Sequence, residues 1–454
     1  MSTGFESDPA SAPRIDGRRT GVRGHGRPCT PRRRDPIALD PRRSTVLTAA
    51  SGQRARLADR TTQLNGSVID SSTSLLASQR HDIVRFAMGA PNAELIPEAD
   101  FARLFQAPAA GRFDYGATEG EPELLAQLAA YLERHGEHAD PDRLLITTGG
   151  MQGLDIAFKL VVDPGDLVVV ESPTYTNGIG TALSYQARVL EAPIDADGLV
   201  VEALPELVAR TGQVPKAIYT IPNFQNPSGT TLSEARRRRL LELADEWNAV
   251  IIDDDPYGAL RFDGEHVPGF AELRPDDARI IRVRTFSKVL APGLRIGWMQ
   301  LAPELRRLAI NAKQAMDTCT SVPMQHVVAD YLAEGDLDAH VERLRRVYRE
   351  RKEALVRAVR ELLGDRVTTT DPQDGFFLWL TLLGEDAVID TEELFPTALR
   401  HGVAFIPGPA FSNSGAFRDA LRVSFATSTP ERIVEGVRRL RTALDEQRAR
   451  GGVR

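Results

Sequence analysis

Short apolar runs alternate with amphipathic stretches from about residue 57 onward. Leu144-Leu145-Ile146-Thr147-Thr148 predicts a strand, and Gly149-Gly150 turns the chain into a helix running to about Val162. Leu167-Val168-Val169-Val170 and Ala217-Ile218-Tyr219-Thr220 predict two more strands. Residues 233–247 carry a helical period that opens at Ser233, a residue type favoured at helix starts. Ala249-Val250-Ile251-Ile252-Asp253 predicts a buried strand, followed by strands at Ile280-Ile281-Arg282-Val283 and Arg295-Ile296-Gly297-Trp298-Met299. Strands this short and apolar, separated by helices, belong in a mostly parallel sheet covered on both faces. Long amphipathic helices are expected from about 301 to 363. Strands near 376–382, 403–406 and 421–426 and a last helix over 430–447 then predict a second, smaller α/β domain. No internal repeat is present.

Residues 1–56 break this pattern. They hold Pro-Arg clusters such as Pro31-Arg32-Arg33-Arg34 and Pro41-Arg42-Arg43, one aromatic (Phe5), and neither a helical nor a strand period. Such a segment buries too little apolar surface to offset the entropy of ordering it, so a disordered basic tail is expected. A basic arm touching nucleic acid is the other reading of it. The expected organisation is that tail, an arm and pocket segment over 57–95, a large domain over 96–320, a small one over 321–447, and a short tail over 448–454.

Charge sharpens this division. The net charge of −7 combines about +7 over residues 1–60 with about −14 over the rest. An acidic body repels a polyanion and argues against nucleic-acid binding as the main function. Cys29 and Cys319 are far apart, which excludes a disulfide scaffold and a structural zinc site and suits a reducing, cytoplasmic setting. The eight histidines show no metal-ligand pattern. His135 and His138 read as a polar helix end, so no metal is expected. No apolar run approaches the roughly 18 residues of a membrane span.

Only five lysines occur: Lys159, Lys216, Lys288, Lys313 and Lys352. Lysine can lose its proton and attack a carbonyl, whereas arginine keeps its charge, so amine chemistry has few candidates. Lys288 lies just past the strand at 280–283, where ligands bind in open α/β sheets. Asp253-Asp254-Asp255-Pro256-Tyr257 ends the strand at 249–253, and Asn226-Pro227-Ser228-Gly229 follows the strand at 217–220. Gly149-Gly150-Met151-Gln152-Gly153 opens a helix whose unpaired N–H groups can hold a phosphate, with Arg295 as a second anchor. A lysine for an aldehyde, a carboxylate for a ring nitrogen and a phosphate cradle together define a pyridoxal phosphate site.

Eight motifs in order then carry a family resemblance. They are Phe86-Ala87-Met88-Gly89-Ala90-Pro91-Asn92, Tyr115-Gly116-Ala117-Thr118-Glu119-Gly120, Thr148-Gly149-Gly150-Met151-Gln152-Gly153-Leu154, Asn226-Pro227-Ser228-Gly229, Asp254-Asp255-Pro256-Tyr257, Thr285-Phe286-Ser287-Lys288, Gly293-Leu294-Arg295-Ile296-Gly297 and Leu421-Arg422-Val423-Ser424-Phe425. The chain resembles the fold-type-I pyridoxal-phosphate-dependent aminotransferases of class I/II, in the branch of the 2-aminoadipate and kynurenine aminotransferases, over about residues 57–447. The resemblance implies an α/β fold whose large domain has a mostly parallel, seven-stranded-type sheet, with a smaller C-terminal α/β domain.

It also implies roles. Lys288 would hold the cofactor as a Schiff base and then move the substrate's proton. Asp254 would pair with the pyridine nitrogen, Asn226 and Tyr257 would bond the ring's phenolic oxygen, and Tyr175 would stack on the ring. Gly150, Met151, Thr285, Ser287 and Arg295 would bind the phosphate. Tyr115 would reach it from a second subunit, which implies a homodimer with shared active sites. Arg422 would clamp the substrate carboxylate, while Gly89 and Asn177 would line the substrate pocket. The implied partners are an amino acid and a 2-oxo acid such as 2-oxoglutarate.

The sequence departs from the branch at one place. Where relatives carry Ser-x-Ile-Arg-Glu, this chain has Ser67-Val68-Ile69-Asp70-Ser71. Asp70 would repel an acidic side chain, which favours a neutral or aromatic donor. The alternative is that Asp70 caps a helix starting near Ser71. The same motifs also serve decarboxylases, lyases and racemases. An aminotransferase-like transcriptional regulator would need a winged helix-turn-helix of roughly 65 residues, more than the tail provides.

Overall fold

The computed structural model describes residues 57–64, 66, 82–106, 111–373 and 375–451. The expected tail over 1–56 and the stretch 67–81, with Asp70, lie outside the described residues.

The strands are β1 (Val84–Arg85), β2 (Leu144–Thr147), β3 (Leu167–Ser172), β4 (Arg188–Asp195), β5 (Gly198–Leu199), β6 (Ala217–Thr220), β7 (Val250–Asp254), β8 (Ile280–Thr285), β9 (Gly297–Gln300), β10 (Val367–Thr369), β11 (Phe377–Leu382), β12 (Val403–Ala404), β13 (Ile406–Pro407) and β14 (Ala420–Ser424). An eight-stranded sheet has the order β2-β9-β8-β7-β6-β3-β4-β5. Strands β8, β7, β6, β3 and β4 run parallel, and β9 is antiparallel to both β2 and β8. The eighth strand, β5, is a two-residue hairpin return from β4.

The unbroken apolar runs follow from burial on both faces. Val168, Val170, Tyr219 and Ile252 pack on one side, with Leu154 and Phe158 of the helix Gly150–Val161. Their neighbours Val169, Ile218 and Ile251 pack on the other, with Leu240 and Leu243 of the helix Glu234–Trp247. Successive strand side chains alternate faces, so each residue of such a run must be apolar.

A second, antiparallel sheet has the order β10-β11-β14-β13. Its core includes Leu355 and Val359 of the helix Asp336–Leu362, and Val437 and Leu440 of the helix Pro430–Gly451. Separately, β1 pairs in parallel with β12, tying the segment before the large sheet to the C-terminal part of the chain.

Some boundaries move. The strand expected at 295–299 starts at Gly297, because Arg295 adopts a left-handed φ of 55° and cannot join a ladder. The strand expected at 403–406 is two pieces that serve different sheets. The sequence pattern does not predict β1, β4, β5 or β10. Arg-Val-Leu-Glu-Ala-Pro-Ile-Asp in β4 is only partly buried and carries no clean period.

Candidate active site

The C-terminal ends of the parallel strands meet the start of the helix Gly150–Val161 around a cavity of about 300 Å³. Lys288, Asp254, Asn226, Tyr257, Tyr175, Gly150, Met151, Thr285, Ser287, Arg295, Gly89 and Arg422 all line it. Two predicted residues stand apart. Asn177 sits in the first turn of the helix Thr176–Ser184 and is not part of the lining. Tyr115 is 90% exposed and does not reach this chain's own cavity.

Alternation along β7 sorts the three aspartates. Asp254 faces the cavity, while Asp253 and Asp255 face a separate hollow of about 450 Å³. Asp253 pairs there with Arg284 at 2.9 Å. Asp255 accepts from Asn223 Nδ2 at 2.6 Å and from the amides of Tyr257 and Gly258, which makes it the acceptor of the turn after β7. The charges of that hollow thus largely answer one another. Asp254 instead takes a hydrogen bond from the hydroxyl of Tyr219 at 2.8 Å, and burial pushes its carboxyl up to about 7. A desolvated carboxylate at a cavity wall is stabilised by an incoming cation, such as a protonated ring nitrogen.

Lys288 Nζ donates to the carbonyl oxygen of Gly89 at 2.7 Å. Burial and the nearby Arg422 and Arg295 bring its amine down to about 8, against the opposing pull of Asp254. An amine near 8 is neutral often enough at ordinary pH to act as nucleophile and base.

The phosphate cradle is built on glycine. Gly149 has φ 73°, and a Cβ there would stand 2.4 Å from Arg295 Nη2. A Cβ on Gly297 would meet Gly149 C at 2.7 Å, so β9 and the helix start approach only because both lack side chains. Arg295 Nη2 donates to Thr148 O at 3.1 Å, which holds its guanidinium beside the helix N-terminus. Thr285 Oγ1 donates to Ser287 Oγ at 2.8 Å on the same rim.

Arg422 reaches the cavity from β14 of the second sheet. Its Nη1 donates to Asn226 Oδ1 at 2.9 Å and its Nη2 to Ala87 O at 2.8 Å. Its guanidinium carbon lies 4.1 Å from the centre of the Phe377 ring and 5.1 Å from that of Phe411. Cation–π contacts in a desolvated setting contribute about 2 kcal/mol. Burial brings Arg422 down to about 10. Its Nε is buried without a hydrogen-bond partner among the described residues.

These residues fit pyridoxal phosphate. A glycine-built helix start with an arginine suits the phosphate, the buried Asp254 suits the ring nitrogen, Lys288 suits the aldehyde, and the orphaned Nε of Arg422 suits an anionic substrate. Sequence reasoning missed Tyr219, which in β6 reads only as a core aromatic, and the aromatic walls Phe377 and Phe411.

Fold and site together define a fold-type-I pyridoxal-phosphate enzyme. Residues 82–440 match the family of class I and II aminotransferases. The chain is 35% identical over 374 residues to aromatic-amino-acid aminotransferase 1 of Thermococcus litoralis, covering 81% of this chain and 89% of that protein. It is 36% identical over 376 residues to the 2-aminoadipate transaminase of Thermus thermophilus, covering 82% and 92%. The crystal structure of Pyrococcus horikoshii kynurenine aminotransferase superposes with a TM-score of 0.80 at 34% identity, over 86% of this chain and 97% of that one. The chain belongs to the class I and II aminotransferases, and pyridoxal phosphate is its cofactor.

Proposed function

We propose that this aminotransferase moves the amino group between an L-amino acid with an aromatic or other uncharged side chain and 2-oxoglutarate. The observation that carries the donor choice is the cation inventory of the cavity. Its lining cations among the described residues are Lys288, Arg295 and Arg422, each with a task at cofactor or α-carboxylate. None is left for an acidic side chain, while Met88, Ala90, Leu154, Ile221 and Phe377 offer apolar surface. The names of the relatives, which include aromatic amino acids and kynurenine, agree with this choice. They also include 2-aminoadipate, so the test must contain that donor.

The cofactor supplies an electron sink for the pair left when the substrate's Cα–H bond breaks. Arg422 grips the α-carboxylate through its fork and gives the orphaned Nε a partner. Lys288 would hold the cofactor covalently and, once the substrate's amine has displaced it, would take the Cα proton on its neutral amine and pass it on from the same face. Asp254 keeps the ring nitrogen protonated. Asn226 and Tyr257 bond the ring's phenolic oxygen, and Tyr175 covers the ring face. The N–H groups of Gly150 and Met151, with Thr285, Ser287 and Arg295, bind the phosphate. Gly89 shapes the pocket floor, since a Cβ there would stand 3.1 Å from the Phe377 ring.

A second copy of the chain completes the site. The near-complete exposure of Tyr115, with Phe113 81% exposed beside it, supports a homodimer in which Tyr115 reaches the neighbour's phosphate. Residues 96–320 form the large domain and 321–447 the small one. The cysteine content supports a cytoplasmic setting.

A donor screen tests this. Leucine, phenylalanine, phenylglycine and 2-aminoadipate are each mixed with enzyme, and loss of the cofactor's bound-form absorbance is followed before 2-oxoglutarate is added. Higher kcat/KM for a neutral donor than for 2-aminoadipate is expected. A preference for 2-aminoadipate over every neutral donor would refute the donor choice.

A further inference from the structure

Lys313 is one of the five lysines and has no place in the chemistry above. It lies in the last turn of the helix Pro303–Gln314 and is fully buried. Its Nζ donates to Asp317 Oδ1 at 2.6 Å and to Gln152 Oε1 at 3.1 Å. Those two partners hold one residue, Thr148. Gln152 Oε1 accepts from the Thr148 amide at 2.8 Å, and Asp317 Oδ2 accepts from Thr148 Oγ1 at 2.7 Å. The Thr148 carbonyl is taken by Arg295. Thr148 therefore has its amide, carbonyl and hydroxyl all fixed immediately before Gly149-Gly150.

We propose that Lys313 is a positioning residue for the cofactor's phosphate, acting through Gln152 and Asp317 to hold the turn at Thr148 and so the direction of the helix N–H groups. This rests on the phosphate-cradle reading given above. The argument is geometric. Gly149 stands in a left-handed conformation between Thr148 and the helix, and glycine has more conformations to escape to than any other residue. A cradle hinged on it needs an external brace. The brace reaches it through Gln152, in the helix's first turn, and through Asp317, beyond the end of a neighbouring helix. Lys313 joins the two. Its ammonium keeps the Gln152 oxygen, rather than the amide nitrogen, turned toward Thr148, and it neutralises Asp317. Burial holds the amine's pKa below its ordinary value, and the hydrogen bond to Asp317 offsets only part of that.

The test compares two ligands that differ by the phosphate. Apoenzyme of the full chain is titrated with pyridoxal phosphate and with pyridoxal, in wild type and in Lys313→Met. Affinity for pyridoxal phosphate is expected to fall at least about tenfold while affinity for pyridoxal stays within about twofold. Thr148→Val, which keeps the volume and removes the hydroxyl's contacts with Asp317 and Thr320, is expected to shift the same ratio by about threefold. It decides the matter if Lys313→Met does not fold. A ligand ratio equal to that of wild type overturns the proposal, whether both affinities weaken or neither does. A wild type that binds the two ligands alike overturns the cradle reading itself, and the proposal with it.

Discussion

Arg422 Nη1 donates to Asn226 Oδ1 at 2.9 Å, a hydrogen bond that crosses from β14 of the small sheet to the loop after β6 of the large one. It joins the group proposed to grip the substrate's carboxylate to a group proposed to touch the cofactor's ring. Substrate and cofactor contacts are thereby linked through one buried guanidinium, which packs against the rings of Phe377 and Phe411.

Replacing Arg422 by Lys keeps a charge but loses the planar fork and the fit between the rings. KM for the amino acid and for 2-oxoglutarate is expected to rise at least about tenfold, the cost of about 1.4 kcal/mol. The visible spectrum of the bound cofactor should also change, because Asn226 loses its donor. Steady-state kinetics and a spectrum check this. An unchanged KM for both substrates would remove Arg422 from carboxylate binding.

The three aspartates of β7 and its turn should fail in three different ways. Asp254→Asn is expected to retain cofactor and lose several orders of magnitude in the rate of Cα proton loss, read by deuterium exchange. Asp253→Asn breaks its buried pair with Arg284 and should destabilise the fold by about 3 kcal/mol, with the exchange rate largely kept. Asp255→Ala removes the acceptor of the turn and should cost about 1–2 kcal/mol of stability. If Asp255→Ala proved the slowest in exchange, the roles would have to move by one residue.

The contrast among these neighbours shows what the sequence could and could not tell. The pattern of apolar runs located β2, β3, β6, β7 and β8, because strands buried on both faces need apolar residues throughout. It missed β4, whose Arg188, Glu191 and Asp195 reflect a partly exposed strand beyond β3 in sheet order. Lys288 and Asp254 stood out because a scarce lysine and clustered carboxylates at strand ends are chemically unusual. Tyr219 did not, since a tyrosine in an apolar strand reads as packing until its hydroxyl is seen against Asp254. Lys313 was equally silent. Its partners Gln152 and Asp317 come from separate parts of the chain, and only folding brings them to Thr148.

Tyr219→Phe isolates the support behind Asp254. The hydroxyl is the donor at 2.8 Å to Asp254 Oδ2, and that bond lowers the carboxyl's pKa against burial. Without it the proton shared between Asp254 and the ring nitrogen moves toward the carboxyl, which weakens the electron sink. A fall in kcat on the order of tenfold is expected, with KM nearly unchanged and a stability loss of about 1 kcal/mol. Kinetics beside a thermal melt separate the two effects. A kcat within about twofold of wild type would mean that the hydroxyl only fills space.

The last prediction concerns pH and Lys288. In cofactor-free protein its amine sits at about 8, down from 10.5, chiefly through burial. Only the neutral amine can attack an aldehyde. The rate of covalent capture of pyridoxal phosphate should therefore climb about tenfold per pH unit below about 8 and level off above it. An amine at its ordinary value would give a rate still rising toward pH 10. The same shift sets the sign of a stability effect. Between about 8 and 10.5 the unfolded chain keeps the proton that the folded chain has lost, so the Lys288 contribution to stability increases with pH across that window. Lys288→Ala should abolish both the capture and this contribution while leaving the fold intact. Borohydride reduction followed by peptide mapping identifies the attachment point. A pyridoxyl group found on Lys159, Lys216, Lys313 or Lys352 would sink the assignment, because the cavity that holds Asp254 and Arg422 is lined by no lysine among the described residues except Lys288.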